Sequence, residues 1–456
     1  MKRVLLLHPP MDLGYTVLIP LGLAAIHAAT PEGYQADAWD MTARRWADLS
    51  WQDLEPYDVI GVCVRYSYNE RKVKQFLRGL ADRSPNTTVV AGGQHATYDV
   101  EGLLSAGASY VVRFAGEDAW TELLTALRDG RDPTGIAGLA ARREGRAWIG
   151  DDRPFADPDA LPIPSFHLFR PRDYPFAMGY RAASVEASRG CPNACGFCTN
   201  PALWRGRWAA KSTPRIVEEL DRVQRLGFTF VYFADDNFGV DPARLRELLD
   251  ALARRAPVLP FMALMQPGTI ARNPDVLDLA WRAGMRIVSL DTNTVDEPTR
   301  ESYDRPDGLE TVRRALDAVR SSRVAAVSNV IVGAPGEPKA TMTRNVRFAR
   351  RHADVFACGV LEPRPGNRYW REEHWRQTDR LCRGESLLHE DPAMVRRLVR
   401  LALLGYYFHP RQLLRALFSP KIGTRTLFRL HYRLYAAAVA SLFLRRDRAA
   451  QPSRMN

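Results

Sequence analysis

The stretch from Ser188 to Pro201 reads SRGCPNACGFCTNP and sets Cys191, Cys195 and Cys198, half of the chain's six cysteines, within eight residues. Thiolates bind soft metals, and three on one flexible loop, spaced C-x3-C-x2-C, can each reach a different iron of a cubane cluster. The fourth iron then has no protein ligand. Zinc suits the pattern less well, because a structural zinc site completes its four ligands with a second CxxC or a His pair, and none follows nearby. The other cysteines are scattered. Cys63 and Cys358 lie within apolar strands and read as small core residues, whereas Cys382 follows the last strand without an assigned partner.

The elements that must position these thiols are legible in the hydrophobic pattern. The cysteine loop follows the run ASVEAS, the first of six strand-like runs that alternate with helical ones: FVYFADD, PFMALMQ, RIVSLD, AAVSNVIVG and VFACGVLEP. Over residues 179–370 this predicts a curved parallel sheet, a partial (β/α)6 version of the (β/α)8 barrel, with functional residues just after the strands. Residues 1–150 carry an earlier alternating series, VLLLH, LGLAAIHAA, YDVIGVCV, a helix near Lys72 to Leu80, TTVVAGG and YVVRF. That series predicts an α/β domain built on a doubly wound, Rossmann-like parallel sheet. Its ligand crevice lies at the carboxyl ends of the strands, in Pro9 to Tyr15, Arg65 to Asn69 and Gly92 to Thr97. A proline-studded connector occupies 151–178, and from 371 to 456 the pattern is helical and basic, closing in RRDRAAQPSRMN.

The segment RGCPNACGFC resembles the signature of the radical S-adenosylmethionine (SAM) superfamily, in the branch that carries an N-terminal cobalamin-binding-type domain. The resemblance covers most of residues 1–370. It implies a [4Fe-4S] cluster whose open iron chelates SAM through amino and carboxylate groups, and reductive cleavage of SAM to a 5'-deoxyadenosyl radical. It implies that Phe197 packs near the adenine. Asp235 or Asp236 in FADDNF is implied to meet the SAM ammonium, and Asp291 in SLDTNT the ribose, although the branch commonly has the longer Glu there. Gly333 in VGAPGEP is implied to let backbone approach the adenine. EPRPGNRYW resembles a further segment near the substrate end of the barrel.

The N-terminal runs HPPMDLGYTVLIPLGLAAI, DVIGVCV, VVAGGQHAT and VRFAGEDAW are similar to the cobalamin-binding domain of that branch. Gly92 and Gly93 permit close approach of backbone to a ligand. A DxHxxG loop, which would bring an axial histidine, is absent. Arg65 and Tyr66, followed by Ser67 and Tyr68, stand where small residues would leave room for a flat corrin. Bulky side chains there would occlude the ring, whereas an Arg beneath cobalt would discourage axial ligation and suit methyl transfer. Cobalamin use therefore stays open on the sequence, since a fold outlives its ligand.

Two enzyme readings follow from the resemblance. The first is radical dehydration of a polyhydroxylated, aminosugar-like natural-product intermediate, similar to radical SAM dehydratases that deoxygenate aminoglycosides. It needs an acid or base to help the hydroxyl leave, and Glu186, Asp291 and Glu362, near strand ends, are the candidates. The alternative is a cobalamin-dependent radical SAM methyltransferase. A non-catalytic iron–sulfur protein is the third class, disfavoured because an incompletely ligated cluster is a poor choice for structure or electron storage.

Charge and hydropathy narrow the partners. From Arg396 onward there are 13 Lys and Arg against one acid, Asp447, a balance equal to the whole chain's +12. The basicity thus belongs to the C-terminal region, read as a solvated face or a dock for an acidic flavodoxin- or ferredoxin-like electron donor. No RNA-binding fingerprint or zinc-finger spacing points to nucleic acid. No run reaches the ~20 apolar residues of a membrane span, and MKRVLLLHPP is too short in its apolar part for an export signal. The expectation is a cytoplasmic protein whose cysteines are reduced.

Overall fold

The computed structural model describes residues 1–10, 18–43, 49–65, 70–176, 179–377, 380–381, 385–412, 414 and 421. They fall into two compact units, one of residues 1–10 and 19–173 and the other of Leu18 and the residues from Tyr174 on. Tyr66, Ser67, Tyr68, most of the loop from Pro9 to Tyr15, Cys382 and the chain after 421 lie outside the described residues.

The first unit is a seven-stranded sheet, ordered β2-β1-β3-β4-β5-β6-β7. Its strands are β1 (Lys2–His8), β2 (Tyr34–Asp40), β3 (Val59–Cys63), β4 (Thr88–Gly92), β5 (Tyr110–Val112), β6 (Leu139–Arg143) and β7 (Arg146–Ile149). The first five pair in parallel. Helices cover both faces of such a sheet, so its strands are continuous apolar runs, and Val4 to Leu7 are all buried. Among the helices, α1 (Leu21–Ala28) packs against β1 and β2, and α2 (Glu70–Arg83) buries Val73, Phe76, Leu77 and Leu80, the spacing of one helical face. Each such buried side chain contributes about 1.5–3 kcal/mol. The sequence reading expected a parallel sheet and did not place β6 and β7, which form an antiparallel hairpin at its edge. Their two-residue turn, Glu144 and Gly145, has positive φ at both positions, the I′ geometry that matches strand twist. Part of the proline-rich connector wraps this unit, with Ser165 N–H donating to Ala24 O at 3.0 Å and Phe166 buried.

The second unit is a six-stranded, all-parallel sheet in the order β8-β11-β12-β13-β14-β15. These are β8 (Ala182–Val185), β11 (Phe230–Phe233), β12 (Phe261–Met265), β13 (Met285–Asn293), β14 (Ala325–Val332) and β15 (Val355–Val360), the six expected strands in chain order. A separate antiparallel ribbon, β9 (Ser188–Gly190) with β10 (Trp208–Ala210), leaves the end of β8. Ser212, Asp241 and Asp296 cap the helices Thr213–Arg225, Pro242–Ala253 and Glu297–Ser302 by accepting from first-turn amides. Each has a proline in the first turn, where a missing N–H removes no intrahelical bond. The helix Pro392–Tyr407 packs on β15 and on the helix Lys339–His352, with Val395 and Tyr406 buried against Val332 and Phe356. Among the described residues, no helix is long and apolar enough to cross a membrane.

Candidate functional site

The cysteine loop begins where β8 ends. Asp235, just past β11, accepts from Ala187 N–H at 2.8 Å and from the Ser188 hydroxyl at 2.5 Å, which fixes the step from β8 into β9. Burial pushes its carboxyl up to about 7. Gly190 then pairs with Trp208 at φ +86, and a Cβ there would lie 2.3 Å from the Arg207 carbonyl oxygen. Only glycine fits both conditions, and Cys191 follows at once.

Each sulfur of the loop accepts at least one N–H. Asn237 Nδ2 lies 4.0 Å from Cys191 Sγ, Arg305 Nη1 3.6 Å from Cys195 Sγ, and the Asn200 amide 3.4 Å from Cys198 Sγ. Burial pushes all three thiols up, Cys198 to about 12, while the Arg305 guanidinium pulls Cys195 the other way. Among the described residues, only Glu70, His95 and Asp99 bring three His, Cys or acidic ligand atoms within 4.8 Å of one another. The three sulfurs therefore do not all lie within 4.8 Å of one another, whereas a tetrahedral zinc–thiolate site holds each pair at about 3.8 Å. Buried Asn237 Oδ1 and Arg305 Nε, on side chains that touch these sulfurs, also lack partners among the described residues. A thiolate donor set, wide spacing and unsatisfied polar atoms beside it fit a polynuclear iron–sulfur cluster.

The turn of the loop is held from two sides. Gly196 N–H donates to Tyr303 O at 2.9 Å, and Arg368 N–H donates to Gly196 O at 2.9 Å. Asn367 Nδ2 donates to Phe197 O and to Glu362 O, each at 3.0 Å. Arg368 also pairs with Asp304 and donates to Ser302 O. Phe197 meets Tyr303 edge to face at 5.3 Å, in an apolar cluster with Ala334, Leu361 and Tyr369. EPRPGNRYW, expected near the substrate end, thus clamps the cysteine loop. Sequence reasoning missed Tyr303, Arg305, Asn367 and Arg368. The Asn-Arg pair after the Pro365-Gly366 turn is the one local hint.

The remaining candidates fall as follows. Each oxygen of Asp235 accepts one bond from its own loop, which makes it an anchor of the step from β8 into β9. Asp236 is half-buried and raised to about 6, by burial and by neighbouring Glu186. Glu186 is paired with Arg189 at 3.0 Å, and Glu362 with Arg364 at 2.8 Å. Asp291, at the end of β13, accepts from Asn329 Nδ2 at 3.2 Å, and its carbonyl accepts from Arg305 Nη2 at 3.2 Å. The three acid or base candidates thus each have a partner within the chain, and each reaches the cysteine loop through one residue: Asp291 through Arg305, Glu362 through Asn367 and Glu186 through Arg189. Gly333 has φ +85, and a Cβ on it would meet Val395 at 3.1 Å and Ser386 at 3.4 Å. The left-handed backbone together with that contact accounts for the missing side chain.

In the first unit, exposed Arg65 ends β3, and half-buried Gly92 and Gly93 end β4 at the carboxyl edge of the sheet. A Cβ on Gly93 would press on Val64 O at 2.9 Å, so this glycine serves the crossing of the two strand ends. His8 lies buried 3.3 Å from Asp40, and His95 buried 3.6 Å from Asp99. Lys74 bridges Glu70 and Asp99, filling the cation's place in that cluster. The two histidines at this edge are thus held against carboxylates, in keeping with the missing axial-histidine loop, and half-buried Gly92 presents bare backbone there. Cys63 and Cys358 are half-buried rather than core residues, and desolvation pushes their thiols to about 11 and about 12.

The comparisons with known proteins agree with this geometry. Residues 185–349 match the Radical SAM superfamily and residues 14–124 the B12 binding domain. An uncharacterized methyltransferase of Pyrococcus horikoshii is 25% identical over 486 residues, covering 94% of this chain and 99% of that protein. The cobalamin-dependent radical SAM methyltransferase TokK of Streptomyces tokunonensis is 27% identical over 334 residues, covering 69% of this chain and 48% of TokK. The radical SAM methyltransferase TsrM of Kitasatospora setae, solved with tryptophan and a SAM analogue, shares the fold at TM-score 0.68 and 20% identity, over 81% of this chain and 75% of TsrM. The chain thus combines a radical SAM domain with an N-terminal B12-binding domain, a pair that implies a [4Fe-4S] cluster, SAM and cobalamin as cofactors.

Proposed function

We propose that the chain is a cobalamin-dependent radical SAM methyltransferase acting on a polar small molecule, with electrons from a flavodoxin- or ferredoxin-like donor in the cytoplasm. The observation that carries this reading is the alignment with the Pyrococcus horikoshii methyltransferase along nearly the whole of both chains. Dehydration, placed first on the sequence, becomes the second reading. It needs a free acid or base; Glu186 and Glu362 are held in ion pairs with arginines, which leaves Asp291, bonded to the Asn329 amide, as the candidate of the three.

When bound, the cluster supplies the electron that cleaves SAM, and cobalamin carries the methyl group. Cys191, Cys195 and Cys198 would hold three irons. Asn237, Arg305 and the Asn200 amide orient their sulfurs, and the clamp formed by Tyr303, Asn367 and Arg368 keeps the turn in place. At the edge of the first sheet, Arg65, Gly92 and Gly93 would border the corrin.

Protein produced with cobalamin supplied, purified without oxygen and given SAM and reductant tests the proposal. Stoichiometric corrin absorption with both 5'-deoxyadenosine and S-adenosylhomocysteine is the expected result. Deoxyadenosine with neither corrin nor S-adenosylhomocysteine would favour dehydration instead.

A further inference from the structure

We infer that Arg305 sets the reduction potential of the iron–sulfur cluster by directing a charged N–H at Cys195, whichever reaction follows. Arg305 sits in the turn after the helix Glu297–Ser302, 110 residues from the sulfur it contacts. Its Nη1 donates to Cys195 Sγ at 3.6 Å, and its Nη2 to Gln266 Oε1 at 2.8 Å and to Asp291 O at 3.2 Å. Its guanidinium carbon lies 6.0 Å from the centre of the Phe197 ring. The acceptors other than sulfur are an amide and a backbone carbonyl, and among the described residues no carboxylate pairs with this guanidinium. Its charge is thus left for the thiolate of Cys195.

The turn that carries Arg305 is rigid. Buried Arg300 donates to the carbonyls of Thr292, Thr294 and Asp307, and Asp307 accepts from the Gly268 amide at 3.0 Å. Arg305 N–H itself donates to Arg300 O. A fixed cation in a partly desolvated site keeps its influence, because little solvent rearranges to screen it.

On reduction the cluster takes one electron from the donor, or from dithionite in an assay, and becomes one unit more negative with no proton transferred. A fixed positive charge and a charge-assisted N–H···S bond favour that more negative state, and hydrogen bonds to the sulfurs are among the factors that set such potentials. Asp291, whose negative charge also acts on Cys195, works in the opposite direction.

The test is a potentiometric titration of the reconstituted full-length protein, without SAM, followed by electron paramagnetic resonance. Arg305→Gln should lower the reduced-to-oxidised ratio at fixed potential roughly tenfold, about 59 mV for a one-electron couple. Arg305→Lys, which keeps the charge, should recover most of the shift, and Asp291→Asn should move the midpoint the other way. An Arg305→Gln protein with full iron content and the native midpoint would overturn the inference. If that variant loses its cluster, the decision passes to Asp291→Asn and Arg305→Lys. A midpoint that does not rise in the first, or that falls by about 59 mV or more in the second, would equally overturn it.

Discussion

Gly190 precedes the first cysteine and is the position where a single methyl group should disturb the site most. At φ +86, an alanine pays the left-handed penalty of about 1–2 kcal/mol. Its Cβ would also fall 2.3 Å from the Arg207 carbonyl oxygen. That neighbour is backbone, so relief requires β9 and β10 to part, which adds about 1–3 kcal/mol by analogy with overpacking. Gly190→Ala should therefore destabilise the second unit by about 2–5 kcal/mol. Gly206, at φ +68 with nothing within 4 Å of a built Cβ, is the matched control. Gly206→Ala should carry the backbone term alone, about 1–2 kcal/mol. Thermal melting of the apoprotein, scored at about 2–4 °C per kcal/mol for a unit of this size, separates the two, and iron content after reconstitution reports the loop. Gly190→Ala should melt lower and retain less iron than Gly206→Ala. Equal melting points with full iron in both would refute the claim that the β9–β10 ribbon positions the cysteines.

Cys198→Ala should abolish SAM cleavage, because one iron loses its thiolate, and retained cleavage by a folded variant would contradict the ligand assignment. Asn367→Ala removes the bonds to Phe197 O and Glu362 O, at about 1 kcal/mol each, and should speed chelator removal of iron; an unchanged rate would show that the clamp is idle. Asp235 has a folded pKa of about 7 against an ordinary 3.8. The folded state therefore binds more protons between those values, and stability falls as pH rises through that window. Melting of the apoprotein should thus weaken from pH 4 toward pH 7, and Asp235→Asn should flatten the slope; the same slope in both proteins would contradict this role.

What the sequence disclosed and what it hid have physical reasons. Both sheets were legible because parallel strands covered on both faces must be short, continuous apolar runs, and runs such as VLLLH and AAVSNVIVG alternate with helical spacing. The cysteine loop was legible because cluster ligation is written in local spacing. The hairpin of β6 and β7 was missed because Glu144-Gly145 carries a weaker turn signal than Asn-Gly. The surroundings of the thiols were missed for another reason. Arg305 reaches Cys195 across 110 residues and Asn367 reaches Phe197 O across 170, contacts that the sheet creates and no spacing encodes. Asp235 was expected at the end of the second strand as a contact to the SAM ammonium, and its two hydrogen bonds from Ala187 and Ser188 depend on the register of β8 with β11, which no local spacing encodes. Glu186 and Glu362 sat at strand ends as expected, yet arginines three and two residues further on neutralise them.

The most direct test of the central claim is whether the cluster held by Cys191, Cys195 and Cys198 leaves one iron for SAM. Electron paramagnetic resonance of the reduced, reconstituted protein, recorded with and without SAM, reads that iron. The account predicts a spectrum that changes when SAM is added. An identical spectrum at saturating SAM, from protein carrying a full cluster, would contradict it.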